Sequence, residues 1–370
     1  MYINPNGNEI IMRVWATFHA HLRQEELRKF LVGIFIQYGY RGIVAAEPNT
    51  KPPLLTGAEA IRYRDENKRL ALGHPHGEVF EPIAIMQITE RTTSRMVREA
   101  YAFGVRIFKV YPYFVTTNSE NGVKDYTKIY PALGALEGLP GVVVQFHAET
   151  PRFEVPGRLK EMRFLSGKKA EMAEIEPRFP GLAMTIEHIS SKFGVEWVQS
   201  FPLERRIGAS IAIQYLTNTA DDVLGYSQRS GGLVRVHETF KPHAKDPEDR
   251  DAVIAAALSG DPRFWSSNDD AWHVKGSKEC AGASCGLANT IAAPSLTIEF
   301  FEKHNALDFS EPFTSEFGPR FYGHPLSTGT IRFIRKRWRV PPELKVPGTN
   351  DTVIPWRAGE EREWQIADDD

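Results

Sequence analysis

Six side chains able to hold a metal ion recur at the ends of apolar runs in this chain. "TFHAHLR" (17–23) closes one such run with His19 and His21, whose i, i+2 spacing puts both imidazoles on one face of an extended strand. Lys109 stands near the end of "VRIFKVY", His147 follows "GVVVQF", His188 follows "LAMTIE", and Asp269 with Asp270 follows "RFWSS". Borderline nitrogen and oxygen ligands of this kind suit Zn2+. Lys109 is the odd member, because an ammonium beside dications would be repelled. It makes sense if its amine has reacted with CO2, since a carbamate is an anion with two oxygens able to bridge two metals. The chemistry so implied belongs to a two-metal site.

Each piece alone is weak, and convergence carries the argument. A lone strand-end histidine is more often hydrogen-bonded into local structure than a ligand. The second His-x-His, "GHPHGE" at His74 and His76, precedes a strand and is read as a surface loop on the opposite rim. Cys280 and Cys285 are the only cysteines; their spacing fits neither zinc ribbons nor a disulfide framework, and they are read as two ordinary thiols.

The elements that must position these groups alternate. Strand candidates are "IIMRVWATF", "GIVAA", "PIAIMQI", "VRIFKVY", "GVVVQF", "LAMTIE", "RIGASIAI" and "RFWSS", and helix-like segments lie between most of them, including one over 158–174. Such alternation predicts a parallel sheet covered by helices. Eight repeats match a closed (β/α)8 TIM barrel, in which functional groups sit at the C-terminal ends of the strands. Five of the eight strands end in a residue able to bind metal. The barrel with its C-terminal helices is assigned to residues 1–330, and a polar extension finishing in "ADDD" to residues 331–370, a tail expected to be solvated and loosely held.

Composition excludes other classes. The 370 residues carry a formal net charge of −2 and no long basic run, so nucleic acid is not expected as a partner. No stretch of about 18 apolar residues and no signal-like N-terminus occurs, which gives a cytoplasmic expectation with no membrane association.

At the level of motifs the chain resembles the amidohydrolase superfamily, and within it the compact type of dihydroorotase. The resemblance runs from "FHAHLR" through "EPNTKPPLLTGAEAIRYR", "FKVYPYFVTTNSENGV", "VQFHAET", "IEHIS" and "NDDAWHVKGSKE" to "FEKHNALDFSEPFTSEFGPRFYGHP". It implies that His19, His21 and Asp269 hold the more buried of two Zn2+ ions and that His147 and His188 hold the more exposed one. Carboxylated Lys109 and a hydroxide would bridge them. It further implies that Arg23, Asn49 and His273 grip a substrate carboxylate, and that Thr116 and Thr117, with Asn118 and Ser119, form a loop closing over the site. Asp269 would relay the proton. The implied activity is reversible hydrolysis of dihydroorotate to N-carbamoyl-aspartate in de novo pyrimidine synthesis, by a homodimer acting on a small anionic substrate.

Several positions depart from the family pattern: Phe18, Gln24, Glu47, Tyr215, Asn268, Asp270 and Trp272. The adjacent aspartates leave the register ambiguous by one, with the four-residue gap from Asp269 to His273 favouring Asp269. Trp272 and Glu47 leave room for a related cyclic amide or ureide, as in hydantoinase or allantoinase types. Those chains are usually longer and carry a small β-sandwich, for which too few residues precede His19. A non-catalytic homologue is the remaining alternative, although no ligand is missing.

Overall fold

The computed structural model describes residues 1–167 and 169–367. Eight parallel strands appear where the apolar runs place them. They are β1 (Thr17–Ala20), β2 (Ile43–Ala46), β3 (Ile85–Ile88), β4 (Ile107–Val110), β5 (Val143–Phe146), β6 (Ala183–Ile186), β7 (Ile207–Ala212) and β8 (Phe264–Ser267). β3 continues a short strand, Glu81–Ile83, that pairs with β2, while β3 itself pairs with β4; Ala84 is the joint. Parallel pairing then runs unbroken from β3 to β8. The ring closes where Asp269 N–H donates to the His19 carbonyl at 2.9 Å and His21 N–H to the Asp270 carbonyl at 2.9 Å. Those closing bonds lie among the predicted ligands.

Inward-facing residues stack in layers, as a closed barrel requires. Ile43, Ile85, Ile107, Val143, Ala183, Trp265 and Phe18 fill the lower interior. A short helix, Phe317–Tyr322, plugs this floor, with Tyr322 stacked on Phe18 at 4.0 Å and 2°. Gly318 permits the approach: a Cβ there would lie 3.1 Å from Trp265 and 3.2 Å from Phe18. Outside, helices such as Glu25–Gln37 and Gly57–Ala71 bury one face against the strands. The second starts with a reciprocal Thr56/Glu59 capping box, which satisfies its first free N–H groups.

Three expectations change. The run "IIMRVWATF" is two strands, because the chain leaves an accessory sheet at Arg13 and enters the barrel at Thr17. The helix read over 158–174 is two, Lys160–Leu165 and Glu171–Arg178, broken near Gly167 at φ +108°; Lys168 lies outside the described residues.

The third change concerns the C-terminal extension, which is not loosely held over its described length. Thr330–Arg339 pairs antiparallel with both Glu9–Arg13 and Glu361–Ile366, and Tyr2–Ile3 completes a four-stranded sheet. A small accessory sheet is thus built from residues on both sides of the barrel in sequence. Its alternation of apolar and charged residues, "TIRFIRKRWR", buries one face and exposes the other. Trp364 is fully buried, and its indole N–H donates to Glu302 at 3.2 Å. The final aspartates, 368–370, lie outside the described residues.

Trp364→Ala should therefore destabilise the protein by about 3–5 kcal/mol in urea denaturation, the usual cost of deleting a buried indole. A change under about 0.5 kcal/mol would mean that the sheet is an appendage.

Candidate active site

At the C-terminal ends of the strands the predicted ligands converge. His19, His21 and Asp269 are buried, with candidate donor atoms within 4.8 Å of one another. The His19 and His188 rings lie 4.9 Å apart and the His147 and His188 rings 4.6 Å apart, so the four imidazoles form one cluster. Lys109 Nζ, wholly buried, stands 3.3 Å from His19 Nδ1. Burial lowers the pKa of each of these histidines, well below the usual value for His19, His21 and His188, which keeps the rings neutral. A neutral imidazole is the form that binds metal.

Hydrogen bonds select which ring nitrogen faces inward. His21 Nδ1 meets Asn49 Oδ1 at 2.9 Å, which leaves Nε2 free. His19 Nδ1 meets Glu187 Oε2 at 2.8 Å, and its Nε2 stands 3.4 Å from Asp269 Oδ1. His147 Nε2 pairs with Glu149 at 2.8 Å, leaving Nδ1. His188 Nδ1 is buried with no hydrogen-bond partner among the described residues. An orphaned buried nitrogen is costly unless something absent from the polypeptide satisfies it. Burial also drives the Asp269 carboxyl well above the usual carboxylate range, a penalty that a cation would offset. This donor set fits a metal centre.

The two aspartates separate cleanly. Asp269 faces His19 and accepts from Gln214 at 2.9 Å, whereas Asp270 Oδ1 accepts the backbone N–H groups of Asn289 and Thr290 at 2.8 and 3.1 Å. Asp270 ties a loop.

Arg23 and His273 meet beside the cluster. The guanidinium Nη2 is 3.2 Å from His273 Nε2, and Arg23 Nε donates to the Trp272 carbonyl at 3.0 Å. Asn49 belongs to the same corner: its side-chain Nδ2 donates one N–H to the Thr117 carbonyl of the loop 116–119 at 3.0 Å and carries a second N–H able to meet a carboxylate. The loop itself is pinned down: Asn118 donates to the Asn49 carbonyl at 2.9 Å and Thr117 Oγ1 to the Cys285 carbonyl at 3.2 Å. Thr116 and Thr117 line the same cavity as the histidines. Arg23, Asn118, His188 and Asp269 all have left-handed φ, between 43° and 58°, the kind of backbone strain that clusters at functional sites.

Other expectations find their places. Trp272 does not reshape the cavity, since its side chain is buried edge-on against Phe30 of the helix Glu25–Gln37. Tyr215 donates to the Pro242 carbonyl at 2.8 Å. His74 and His76 lie in the loop before the strand Glu81–Ile83, away from the cluster. Cys285 lines the cavity, and its carbonyl oxygen also lies 3.1 Å from His273 Nε2.

Four groups escaped sequence reasoning: Glu187, Glu149, Gln214 and Tyr111. Glu187 and Glu149 stand one and two residues from His188 and His147, a spacing that hinted at them. Tyr111 donates to Glu47, which also accepts from Lys109 at 3.3 Å. Burial raises the Glu47 carboxyl to about 7 despite the neighbouring lysine.

No family model matches the chain. Among curated relatives, a dihydroorotase from Pseudomonas entomophila is 36% identical over 355 residues, covering 95% of this chain and 96% of its own. The chain belongs to the dihydroorotase family. A dihydroorotase from Vibrio vulnificus is 34% identical over 350 residues, covering 94% of this chain and 96% of its own. The dihydroorotase fold agrees as well: the Saccharomyces cerevisiae enzyme, solved with 5-fluoroorotic acid, superposes with TM-score 0.85 at 24% identity, covering 97% of this chain and 98% of that one.

The buried Lys109–Glu47 pair generates a prediction. Glu47→Gln leaves an uncompensated buried ammonium and should cost the metal-stripped protein about 3 kcal/mol in denaturant titration at pH 8. Unchanged stability would show that the pair is not ionic in the metal-free state.

Proposed function

We propose that this protein is a zinc-dependent dihydroorotase that reversibly hydrolyses dihydroorotate to N-carbamoyl-aspartate, acting as a cytoplasmic homodimer. The observation that carries the proposal is the convergence of four buried imidazoles, Lys109 and Asp269 at one rim of a family member's barrel. In this reading His19, His21 and Asp269 would hold one ion and His147 and His188 the other, and Lys109, carboxylated on Nζ, would add anionic oxygen ligands. Ions so held would lower the pKa of a water to around 7 and polarise the amide carbonyl.

The polypeptide does the rest. Arg23 and His273, with the second amide N–H of Asn49, hold the ring carboxylate and so fix which carbonyl faces the cluster; a planar guanidinium fork suits that task. Asp269 takes the proton of the attacking water and delivers it to the amide nitrogen as the C–N bond breaks. Gln214 holds the other carboxylate oxygen of Asp269, so the proton-carrying oxygen has one orientation. The loop 116–119 excludes bulk water when it closes over the bound ring.

Ring opening of dihydroorotate by zinc-supplemented protein, followed at its ultraviolet absorbance, tests the reading. Wild type should be active and Lys109→Ala should fall to background with loss of bound zinc; an inactive wild type that binds zinc would refute the substrate. Arg23→Met should lower kcat/KM about a hundredfold, the loss of roughly 3 kcal/mol of charge-assisted hydrogen bonding. An unchanged value would displace the carboxylate clamp. Asp269→Asn should abolish turnover and Asp270→Asn should act mainly on stability; the reverse would shift the register by one.

A further inference from the structure

The "GPRFYG" segment lies in the last of the stretches that carry the family resemblance, yet the reaction above makes no use of it. Its tyrosine enters the barrel from the floor, on the helix Phe317–Tyr322, and is almost wholly buried at 4% exposure. Filling the floor would need only the ring, which already stacks on Phe18, the neighbour of His19. A buried hydroxyl adds a desolvation cost unless it is bonded. Here it lies 2.9 Å from Gln145 Nε2, 3.3 Å from Thr185 Oγ1 and 3.3 Å from Glu187 Oε1. Gln145 donates to it, so its own hydrogen is available for the Glu187 carboxylate.

Glu187 is the carboxylate that orients His19. Oε1 accepts from Thr185 at 2.7 Å as well as from Tyr322, and Oε2 accepts from Ser210 at 2.9 Å and meets His19 Nδ1 at 2.8 Å. With the Nδ1 proton committed to Glu187, the His19 lone pair is on Nε2, the atom that faces Asp269. Partners that hold a ligating histidine in this way set its tautomer and its basicity. Thr185 and Ser210 come from the strands β6 and β7, but Tyr322 comes from 135 residues further along the chain than Glu187. It couples the floor plug to the rim.

We propose that Tyr322 is a positioning residue of the metal centre: its hydroxyl fixes Glu187, and Glu187 fixes His19 with Nε2 presented to the metal. The inference rests on the two-metal reading above.

The test uses the full chain and measures zinc affinity by competition with a chromogenic chelator, beside the melting temperature of the metal-stripped protein. Tyr322→Phe keeps the stacked ring and removes only the hydroxyl. It should leave the metal-free melting temperature near wild type while zinc Kd rises about tenfold, the low end of what loss of such partners costs. Glu187→Gln tests the same link from its other end and should raise Kd further, towards about a hundredfold. Wild-type zinc affinity in a folded Tyr322→Phe overturns the proposal, whatever its melting temperature, because the hydroxyl would then serve only the floor. If Tyr322→Phe fails to fold, unchanged affinity in Glu187→Gln overturns it equally. A wild-type protein that binds no zinc sinks the two-metal reading itself, an outcome recognisable before any variant is made.

Discussion

Ionisable groups packed together without water are the constraint on which the rest depends. Lys109, Glu47, Glu187 and Asp269 share one small region with four histidines, and all are nearly inaccessible. Taking a charge out of water costs several kcal/mol unless partners offset it. The histidines respond by staying neutral, and Asp269 is pushed towards its protonated form. A protein that needed only stability would place apolar side chains at these strand ends. A set of neutral imidazoles around a destabilised carboxylate is instead complementary to cations, and the orphaned His188 Nδ1 points to the same conclusion.

The closed parallel barrel is what allows such a cluster. Strands β1, β4, β5, β6 and β8 each deliver a residue to the same rim, and the hydrogen bonds that close β8 onto β1 run through Asp269, Asp270 and the backbone of His19 and His21. Ring closure and the site draw on the same residues. Around the inner ring, Glu187, Glu149, Asn49 and Gln214 each take one atom of a candidate ligand and so decide which atom remains. Selectivity of orientation is set by these partners as much as by the ligands themselves.

The eight strands and most helices were legible because buried parallel strands read as short apolar runs between amphipathic segments. The candidate ligands were legible because strand-end position is local information. The boundaries that failed did so for nonlocal reasons. Nothing near residue 330 announces that "TIRFIRKRWR" will pair with Glu9–Arg13, more than 300 positions away, so its charged outer face read as a solvated tail. Asp270 was ambiguous until the backbone of Asn289 and Thr290 claimed it. Trp272 looked like a pocket residue because its neighbour His273 is one, yet its ring turns into the helical layer. Glu187 and Tyr322 are linked through space alone, and no spacing rule connects them.

Anomalous diffraction from crystals of the zinc-loaded protein would locate the ions. A two-metal centre should give two zinc peaks, one against His19, His21 and Asp269 and one against His147 and His188, with density extending from Lys109 Nζ to both. A single peak, or none, with a bare Lys109 ammonium against Glu47, would contradict it.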